Sequence, residues 1–520
     1  MALLTRVAGA WARQRLRVMR RRAAAPARTQ ERLLARWLKT ARGTEFGVVH
    51  GFRRIRCVED FRRRVPLADY ARMAPWWDRA RAGEAGLTWP GPVATFGLSS
   101  GTTAGEKYLP LTEATLRTNA RGGLDALAVH LAQGGADALE GRLLFLGGAT
   151  ALRVEDGVAV GDHTGILARR MPAWVRRLHT PSPEVAALAS WDAKIPRAAA
   201  EALREDVRVL AGIPSWLLLF ADEVRSQAAR AGRPHATLSD VWPRLGAVLH
   251  GGTAFAPYRE RLLEVLGPGA PGRGIRLVET YSATEGGMLA VEDVPGALLP
   301  ILDRSAYLEF VPVGDLGDAV PRRLGLEATE PGVEYALAVT TNAGQWAYLL
   351  GDIVRPVATH PWRLVFAGRT AQMMNGFGEH VSGGEIDRAV SIAGSSLGLR
   401  VGEYAVAARY PEDGDAHGRH VYFVELEAGA TDLDRFARIV DATVAGGNDD
   451  YRAHRAGGYG LALPEIVPLP PGTFYAWMRA EGRLGGQNKV PRVLGPARHA
   501  ALAAFLGTVP APVAVPGGPR

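Results

Sequence analysis

The stretch Phe96–Lys107 reads FGLSSGTTAGEK, and its interpretation decides the class of protein. Its first residues, Gly97 to Gly101, match G-x-S-x-G, the nucleophile turn of serine hydrolases. Gly101, Gly105 and Lys107 suggest instead a glycine-rich loop that cradles phosphate. A polar surface turn is the third interpretation. The rest of the chain has to decide between the three.

The composition indicates a large protein without disulfides. With 520 residues, 47% of them hydrophobic, the chain is too long for one ordinary domain, and two are predicted. Its single cysteine, Cys57, excludes an intramolecular disulfide and a C-x-x-C metal site. No apolar run approaches the roughly 18 residues of a membrane span. The sequence therefore predicts no transmembrane segment, a cytoplasmic location and a monomer.

The positive charge, +9 overall, is concentrated at the start of the chain. Residues 1–22 contain seven arginines and no acidic residue, which is typical of a transit peptide or a surface-binding helix. Their apolar spacing favours a helix packed on its own domain. No specific nucleic-acid partner is predicted.

The chain has 58 arginines and only four lysines: Lys39, Lys107, Lys194 and Lys489. A lysine offers a compact, mobile point charge that the planar guanidinium of arginine does not replace. The four lysines are therefore candidates for specific roles.

The alternation of elements predicts an α/β fold in two domains. Short apolar runs at 142–148, 245–252 and 275–280 are predicted strands, separated by helices such as 197–211 and 257–266. A long helix is predicted to follow Thr112, its N-cap. Strands joined by hairpins follow toward residue 365, so the sheets are mixed. The predicted segments are a basic N-terminal segment 1–27, a large domain 28–368, a small α+β domain 369–508 and a disordered tail 509–520.

The hydrolase and Walker interpretations both conflict with the surroundings of FGLSSGTTAGEK. A nucleophile turn needs a helix directly after the serine, but about ten residues separate Ser99 from Thr112. A Walker loop needs four residues between its first glycine and an adjacent Gly-Lys pair. Here three residues separate Gly101 from Gly105, and Glu106 separates Gly105 from Lys107. The stretch still supplies backbone N–H groups, a lysine and four hydroxyl groups suited to polyphosphate: Ser99, Ser100, Thr102 and Thr103.

Three distant motifs favour the phosphate interpretation. ETYSATEGG (279–287) places Glu285, a possible Mg²⁺ ligand, in a turn with Tyr281 and Thr284. LLGDIVRPV (349–357) holds Asp352, whose carboxylate suits the two hydroxyls of a ribose. LGGQNKVPRV (484–493) holds Lys489 in a glycine-rich loop.

In order and spacing, these motifs resemble the adenylate-forming acyl-activating superfamily. Within it the chain resembles the Gretchen Hagen 3 family of acyl acid amido synthetases, in its bacterial branch. The matching motifs are SSGTTAGEKYLP, YSATE, GDIV, GRTAQMMNGFGEH and GGQNKVPR, and the likeness runs from about residue 28 to about residue 500.

The resemblance implies a large adenylate-forming domain, a small mobile domain and two cosubstrates, a carboxylic acid and an amine. ATP would be held by the loop, Tyr281 and Thr284, with Asp352 and Arg369 at the ribose and Mg²⁺ on Glu285. The loop residues are Ser99, Ser100, Gly101, Thr102, Thr103, Gly105 and Lys107. Lys489 would reach the α-phosphate, and the small domain would swing about a hinge near Arg369.

The implied reaction forms an acyl-AMP from ATP and a carboxylic acid, and an amine, such as an amino acid, then displaces AMP. Thioester formation with coenzyme A and a non-catalytic role are the alternatives. GGTAFAPY (251–258) is a candidate wall of the acyl pocket, with Thr253 and Phe255 as contacts. Two departures concern acceptor identity and domain motion: Leu349 and Leu350 precede the Gly-Asp pair, and the hinge segment GRTAQ lacks its usual acid.

Overall fold

The computed structural model describes residues 2–100, 106–253, 255, 258–268, 274–370, 374, 379, 381–410, 418–427, 432–456, 461–484 and 489–508. These residues form two compact units, and the chain passes from the first to the second between Phe366 and Ala367. Gly101, Thr102, Thr103, Gly105 and the tail 509–520, all named by the sequence predictions, lie outside the described residues.

The strands of the first unit build two sheets. In chain order they are β1 (Thr95–Ser100), β2 (Glu106–Pro110), β3 (Arg142–Phe145), β4 (Arg153–Glu155), β5 (Val158–Asp162), β6 (His179–Thr180), β7 (Val207–Gly212), β8 (Ala247–Gly251), β9 (Arg276–Ala283), β10 (Gly287–Val294), β11 (Ala297–Pro300), β12 (Tyr307–Pro312), β13 (Tyr335–Thr340), β14 (Tyr348–Thr359) and β15 (Trp362–Arg369).

The larger sheet has eleven strands in the order β12-β13-β14-β15-β11-β10-β9-β8-β7-β3-β6. The pairs from β6 to β9 are parallel, whereas β9 to β11 and β12 to β14 pair antiparallel. The prediction of a mixed α/β fold is confirmed. The carboxyl ends of β3, β7, β8 and β9 therefore meet at one edge, where parallel sheets bind their ligands.

Helices cover the sheets of the first unit. They are α1 (Ala2–Ala24), α2 (Pro26–Ala41), α3 (Glu45–Val49), α4 (Val58–Arg64), α5 (Tyr70–Arg81), α6 (Glu113–His130), α7 (His163–Arg169), α8 (Ala173–Leu178), α9 (Pro183–Ala186), α10 (Trp191–Ala202), α11 (Pro214–Arg230), α12 (Leu238–Val241) and α13 (Arg259–Leu266). Thr112 caps α6 as predicted, because its side chain accepts a hydrogen bond from the backbone N–H of Thr115. Among the described residues, none of the helices combines the length and the apolar content that a membrane crossing requires.

The basic N-terminal segment forms a packed helix. Leu16, Met19 and Ala23 of α1 are buried in the largest apolar core of the unit. Four ion pairs tie the helix to distant parts of the chain: Arg15 to Asp125 at 2.7 Å, Arg15 to Asp303 at 2.9 Å, Arg20 to Asp293 at 2.7 Å and Arg22 to Asp303. Of the alternatives for residues 1–22, packing on its own domain is the one that the structure shows.

The smaller sheet of the first unit, in the order β2-β1-β5-β4, contains the hairpin that flanks the glycine-rich loop. β1 pairs antiparallel with β2, which sets Ser99 opposite Lys107 and Ser100 opposite Glu106. Two antiparallel strands thus enclose residues 101–105. A nucleophile turn, by contrast, would require a helix where β2 stands.

The predicted helix 197–211 is wrong in its second half. The helix α10 ends at Ala202, and the strand β7 extends from Val207 to Gly212. β7 lies between β3 and β8, and its first four residues are all buried. A strand covered on both faces usually has a continuous apolar run, but in β7 the buried Arg208, which pairs with Asp206 at 2.9 Å, interrupts that run.

The second unit has a four-stranded sheet in the order β18-β17-β16-β19. Its strands are β16 (Val401–Arg409), β17 (Arg419–Leu426), β18 (Glu465–Leu469) and β19 (Val493–Leu494). Its helices are α14 (Gly383–Leu397), α15 (Leu433–Gly447), α16 (Asp449–Ala456), α17 (Thr473–Ala480) and α18 (Pro496–Thr508). Two apolar cores lie within this unit, so it is a small α+β body.

Candidate functional site

Tyr281 and Asp352, predicted from separate motifs, are in direct contact. The hydroxyl of Tyr281 in β9 donates a hydrogen bond of 2.8 Å to Oδ2 of Asp352 in β14. Three strands separate β9 from β14 in the sheet order, and neighbouring strands are about 4.8 Å apart. One tyrosine side chain cannot cross that distance on a flat sheet. The sheet therefore curls and brings the ends of two distant strands into one site.

The Tyr281 ring faces the side of this site formed by β15. Its centroid lies 5.9 Å from that of Phe366. Asp352 is only 3% exposed, so the carboxylate is largely withdrawn from water. A buried carboxylate oriented by a tyrosine hydroxyl can accept hydrogen bonds from a polyol with little reorganisation.

The turn between β9 and β10 carries Thr284 and Glu285, and both residues are buried. Thr284 packs on β1, because a Cβ atom placed on Gly97 would lie only 2.8 Å from its Cγ2. Glycine at position 97 therefore lets the two segments approach closely. As a result, the Glu285 turn lies beside the strand that leads into the glycine-rich loop.

Lys107 lies on β2, opposite Ser99 of β1, and makes an aromatic contact. Its Nζ is 5.4 Å from the centroid of the Tyr70 ring, which favours a cation. The hydroxyl of Tyr70 in turn accepts a hydrogen bond of 3.0 Å from the backbone N–H of Tyr108. The lysine is therefore supported at the base of the hairpin.

The buried phenol of Tyr348 lies close enough to Glu285 and Tyr70 for both to affect its pKa. Burial raises the pKa of Tyr348 far above its ordinary value, and the nearby Glu285 carboxylate raises this pKa further, as do Tyr70 and Asp69. Tyr348 thus stays neutral, between the Glu285 turn and the aromatic ring that holds Lys107.

A buried polar pair supports the far side of the Glu285 turn. Nδ2 of Asn119 in α6 lies 3.0 Å from Nε2 of His163 in α7. Burial lowers the pKa of His163 to about 4, so the imidazole is neutral at physiological pH. Gly287 has a φ of +67°, and a Cβ atom there would lie 2.1 Å from Oδ1 of Asn119. Only glycine fits both the backbone conformation and the space. The sequence predictions did not include this pair.

Thr253 and Phe255 follow β8 and form a neighbouring group. The Phe255 ring stacks on His250 with centroids 3.7 Å apart. Burial lowers the pKa of His250 to about 3, which keeps this imidazole neutral. β8 pairs with β9 so that His250 lies opposite Glu279. The predicted acyl-pocket residues therefore lie at the carboxyl end of β8, next to β9.

Glu279 is a titratable group that the sequence predictions missed. Burial and, to a smaller extent, the Glu292 carboxylate together raise its pKa to about 7. The backbone N–H of Glu279 donates a hydrogen bond of 2.7 Å to Oε2 of Glu292. Its signal was present in the quoted motif ETYSATEGG, two residues before Tyr281. Burial, however, cannot be inferred from that motif.

Arg369 and Lys489 belong to the second unit, and the structure describes them separately from the group around Asp352. The backbone near Lys489 is anchored three residues later by the buried Arg492, whose guanidinium binds Glu403 at 2.8 Å and Asp387 at 3.3 Å. The side chains of Ser99 and Ser100 lie outside the described part of the structure.

Solved structures define the class of this fold. The chain is similar to GH3.15 acyl acid amido synthetase with a TM-score of 0.76, at 18% identity over 93% of this chain and 94% of that one. It is also similar to 2-hydroxyisobutyryl-CoA ligase in the postadenylation state, with a TM-score of 0.55 and 13% identity over 95% and 92% of the two chains. The chain therefore shares its fold with these two solved structures.

Three domain models of one family match the chain in order. They are the GH3 family N-terminal domain at residues 15–194, the central domain at 299–369 and the C-terminal domain at 384–497. Together they match well over half of the chain. The chain therefore belongs to the GH3 family.

Curated relatives are plant proteins of the same family. Probable indole-3-acetic acid-amido synthetase GH3.9 of Oryza sativa subsp. japonica is 28% identical over 52% of this chain and 65% of its own length. Indole-3-acetic acid-amido synthetase GH3.8 of Oryza sativa subsp. indica is 31% identical over 37% and 34%. Jasmonoyl--L-amino acid synthetase JAR6 of Nicotiana attenuata is 24% identical over 90% and 91%. The match thus spans less than two thirds of the length of the first two.

Proposed function

We propose that this chain is an AMP-forming acyl acid amido synthetase that uses ATP. The observation that carries the proposal is the hydrogen bond between Tyr281 and Asp352, next to the buried Glu285 turn. Two motifs far apart in sequence, ETYSATEGG and LLGDIVRPV, meet there with groups suited to a nucleotide. Membership of the bacterial branch, a cytoplasmic location and a monomeric state stay predictions.

The proposed nucleotide site uses each group for one part of ATP. Asp352, oriented by Tyr281, would accept hydrogen bonds from the ribose hydroxyls, with help from Arg369. Tyr281 and Thr284 would contact the adenine and α-phosphate region. Lys107 and the loop that it follows would hold the phosphates: Ser99, Ser100, Gly101, Thr102, Thr103 and Gly105.

The residues present fit a magnesium ion that arrives with ATP. Among the described residues, no group of three or more His, Cys, Asp and Glu side chains could hold a metal by itself. Mg²⁺ commonly binds one or two carboxylates and takes its other ligands from substrate phosphates and water. Glu285 would be that carboxylate. When bound, the ion supplies positive charge at the phosphates.

Adenylation is limited by repulsion between anions. The substrate carboxylate attacks the α-phosphorus of ATP, its oxygen forms the new P–O bond, and pyrophosphate leaves. Lys107 and Lys489 would offset the negative charge that gathers at the phosphates. Lys489 would approach from the small domain after movement about a hinge near Arg369. Loss of Lys489 is expected to cost about 3–4 kcal/mol in the adenylation barrier.

The second half-reaction would transfer the acyl group to an amine, with an amino acid as the proposed acceptor. The amine nitrogen attacks the acyl carbon, AMP leaves, and a proton leaves the nitrogen. Because the mixed anhydride is already activated, this step needs no covalent enzyme intermediate. Thr253 and Phe255, at the carboxyl end of β8, are the proposed contacts of the acyl chain.

Exchange of radiolabelled pyrophosphate into ATP tests the first half-reaction. With Mg²⁺ and pooled carboxylic acids, the wild-type protein is expected to catalyse exchange. Lys489→Ala should slow it about 10²- to 10³-fold while ATP binding is retained. Lys39→Ala provides the matched control, since Lys39 lies exposed on α2. No exchange by folded protein with any acid class would contradict the proposal.

A second assay identifies the acceptor. Active acids are incubated with amino acids, other amines or coenzyme A, and the products are read by mass spectrometry. Amides are expected. Thioester formation without any amide would support the coenzyme A ligase alternative instead.

A further inference from the structure

The first two helices carry the excess positive charge of the protein. Residues 1–42 contain twelve arginine and lysine residues and one acidic residue, Glu31, whereas the whole chain has a net charge of +9. The rest of the chain is therefore slightly negative. Any attraction to a polyanion would be directed to α1 and α2.

Helix α1 divides its arginines between two faces. On the inner face, Arg15, Arg20 and Arg22 are paired with aspartates of the first unit. On the outer face, four arginines are exposed, and none forms an ion pair with any residue that the structure describes: Arg6, Arg13, Arg17 and Arg21. Arg13, Arg17 and Arg21 follow one another at one-turn spacing. The outer arginines therefore form a continuous stripe, separate from those that dock the helix.

Apolar side chains adjoin this stripe. Val7 is 59% exposed and Trp11 is 48% exposed, and they lie one turn apart on α1. Helix α2 exposes four more cations, Arg28, Arg32, Arg36 and Lys39. Apart from the aspartates already paired with Arg15, Arg20 and Arg22, nearby carboxylates include Glu31 of α2 and Glu140, which accepts a hydrogen bond from Thr5. Cations thus outnumber acids around two exposed apolar side chains.

This combination matches the surface of an anionic bilayer. Guanidinium groups bind phosphate through charge-assisted hydrogen bonds. Tryptophan is favoured at the depth of the headgroups, where its apolar ring and its N–H are both accommodated. A nucleic-acid backbone would satisfy the arginines but offers no apolar layer for Val7 and Trp11. We propose that the outer face of α1 binds the surface of a membrane rich in anionic phospholipid.

Vesicle sedimentation with the full-length protein tests this proposal. The protein is expected to sediment with equimolar phosphatidylglycerol and phosphatidylcholine vesicles at low salt, and not with phosphatidylcholine alone. Replacing Arg6, Arg13, Arg17 and Arg21 together by Gln should weaken binding by about fivefold per arginine. Trp11→Ala should also weaken it and remove quenching of tryptophan fluorescence by brominated lipid.

Matched variants separate this face from general charge and exposure. Replacing Arg197, Arg204, Arg230 and Arg438 by Gln removes four exposed arginines elsewhere and should leave binding unchanged. Trp174 is also 48% exposed, so Trp174→Ala controls for Trp11→Ala. The proposal is overturned if the wild-type protein does not sediment, if the α1 charge variant sediments as wild type, or if a nucleic-acid duplex binds more tightly than the vesicles.

Discussion

Replacing Gly97 by alanine should separate β1 from the Glu285 turn. The added Cβ would lie 2.8 Å from Cγ2 of Thr284 and 3.2 Å from Cδ1 of Leu111. Real Cβ contacts are not that short, so the Thr284 turn or the strand must shift. Overpacking of this kind typically costs about 1–3 kcal/mol. We expect Gly97→Ala to lower the free energy of unfolding by that amount and to raise the KM for ATP.

The structure also provides a compensating change. Thr284→Ser removes Cγ2, the atom in closest contact, and retains the hydroxyl. In Gly97→Ala/Thr284→Ser, only the weaker contact with Leu111 remains. The double variant should therefore be more stable than the sum of the single effects predicts, by about 0.5–1 kcal/mol or more. The KM for ATP should return toward the wild-type value.

Urea unfolding followed by tryptophan fluorescence measures the stability of all four proteins in the cycle. Gly43→Ala is the control, because no atom lies within 4 Å of a Cβ at Gly43. It should change stability by no more than about 0.5 kcal/mol. If the two substitutions prove additive, Thr284 does not limit the space at Gly97, and the reasoning about how β1 and the turn are held together is wrong.

Three further outcomes are expected. Tyr281→Phe removes the hydroxyl that donates to Asp352. It should raise the KM for ATP about tenfold, because a hydrogen bond to a charged group is worth about 1.5 kcal/mol. An unchanged KM in pyrophosphate exchange would count against the ribose role of Asp352. Burial holds the pKa of Glu279 at about 7, above its ordinary 4.5, so this group should make the protein less stable as pH rises from about 4.5 to 7 and add no slope above 7. The midpoint of urea unfolding, measured across this pH range, should show this loss of stability in the wild-type protein but not in Glu279→Gln. Parallel pH profiles of the two proteins would refute the prediction. Arg492→Met leaves the buried carboxylates of Asp387 and Glu403 without their cation and should destabilise the second unit by about 3–5 kcal/mol. Arg438→Met, at an exposed position, should change stability little. Equal urea unfolding curves for the two variants would contradict the anchoring role of Arg492.

The sequence named candidate groups for the site but not the contacts between them. Asp352 and Tyr281 could be named because their motifs are short and specific. Their hydrogen bond joins residues 71 positions apart and depends on the curl of an eleven-stranded sheet. Local patterns contain no information about such curvature, because it arises from the twist summed over many strands.

Burial was the other quantity that the sequence did not supply. Arg208 lies buried between Val207 and Val209 and interrupts the apolar run that marks a strand covered on both faces, and the segment was assigned to a helix. Glu279 was passed over because a carboxylate in a strand looks exposed until its surroundings are known. Predictions that depended on residue type and order were more successful, including the cap at Thr112 and the mixed α/β fold.

The ion pairs of α1 have a consequence for synthesis of the chain. Arg20 and Arg22 find their partners at Asp293 and Asp303, so α1 makes these contacts with a part of the chain made much later. At about 5–20 residues per second, the ribosome needs roughly 15–60 s to reach that part. During this interval α1 can already pack on α6 through Ala12 and pair Arg15 with Asp125, but its docking is completed only when Asp293 and Asp303 are made.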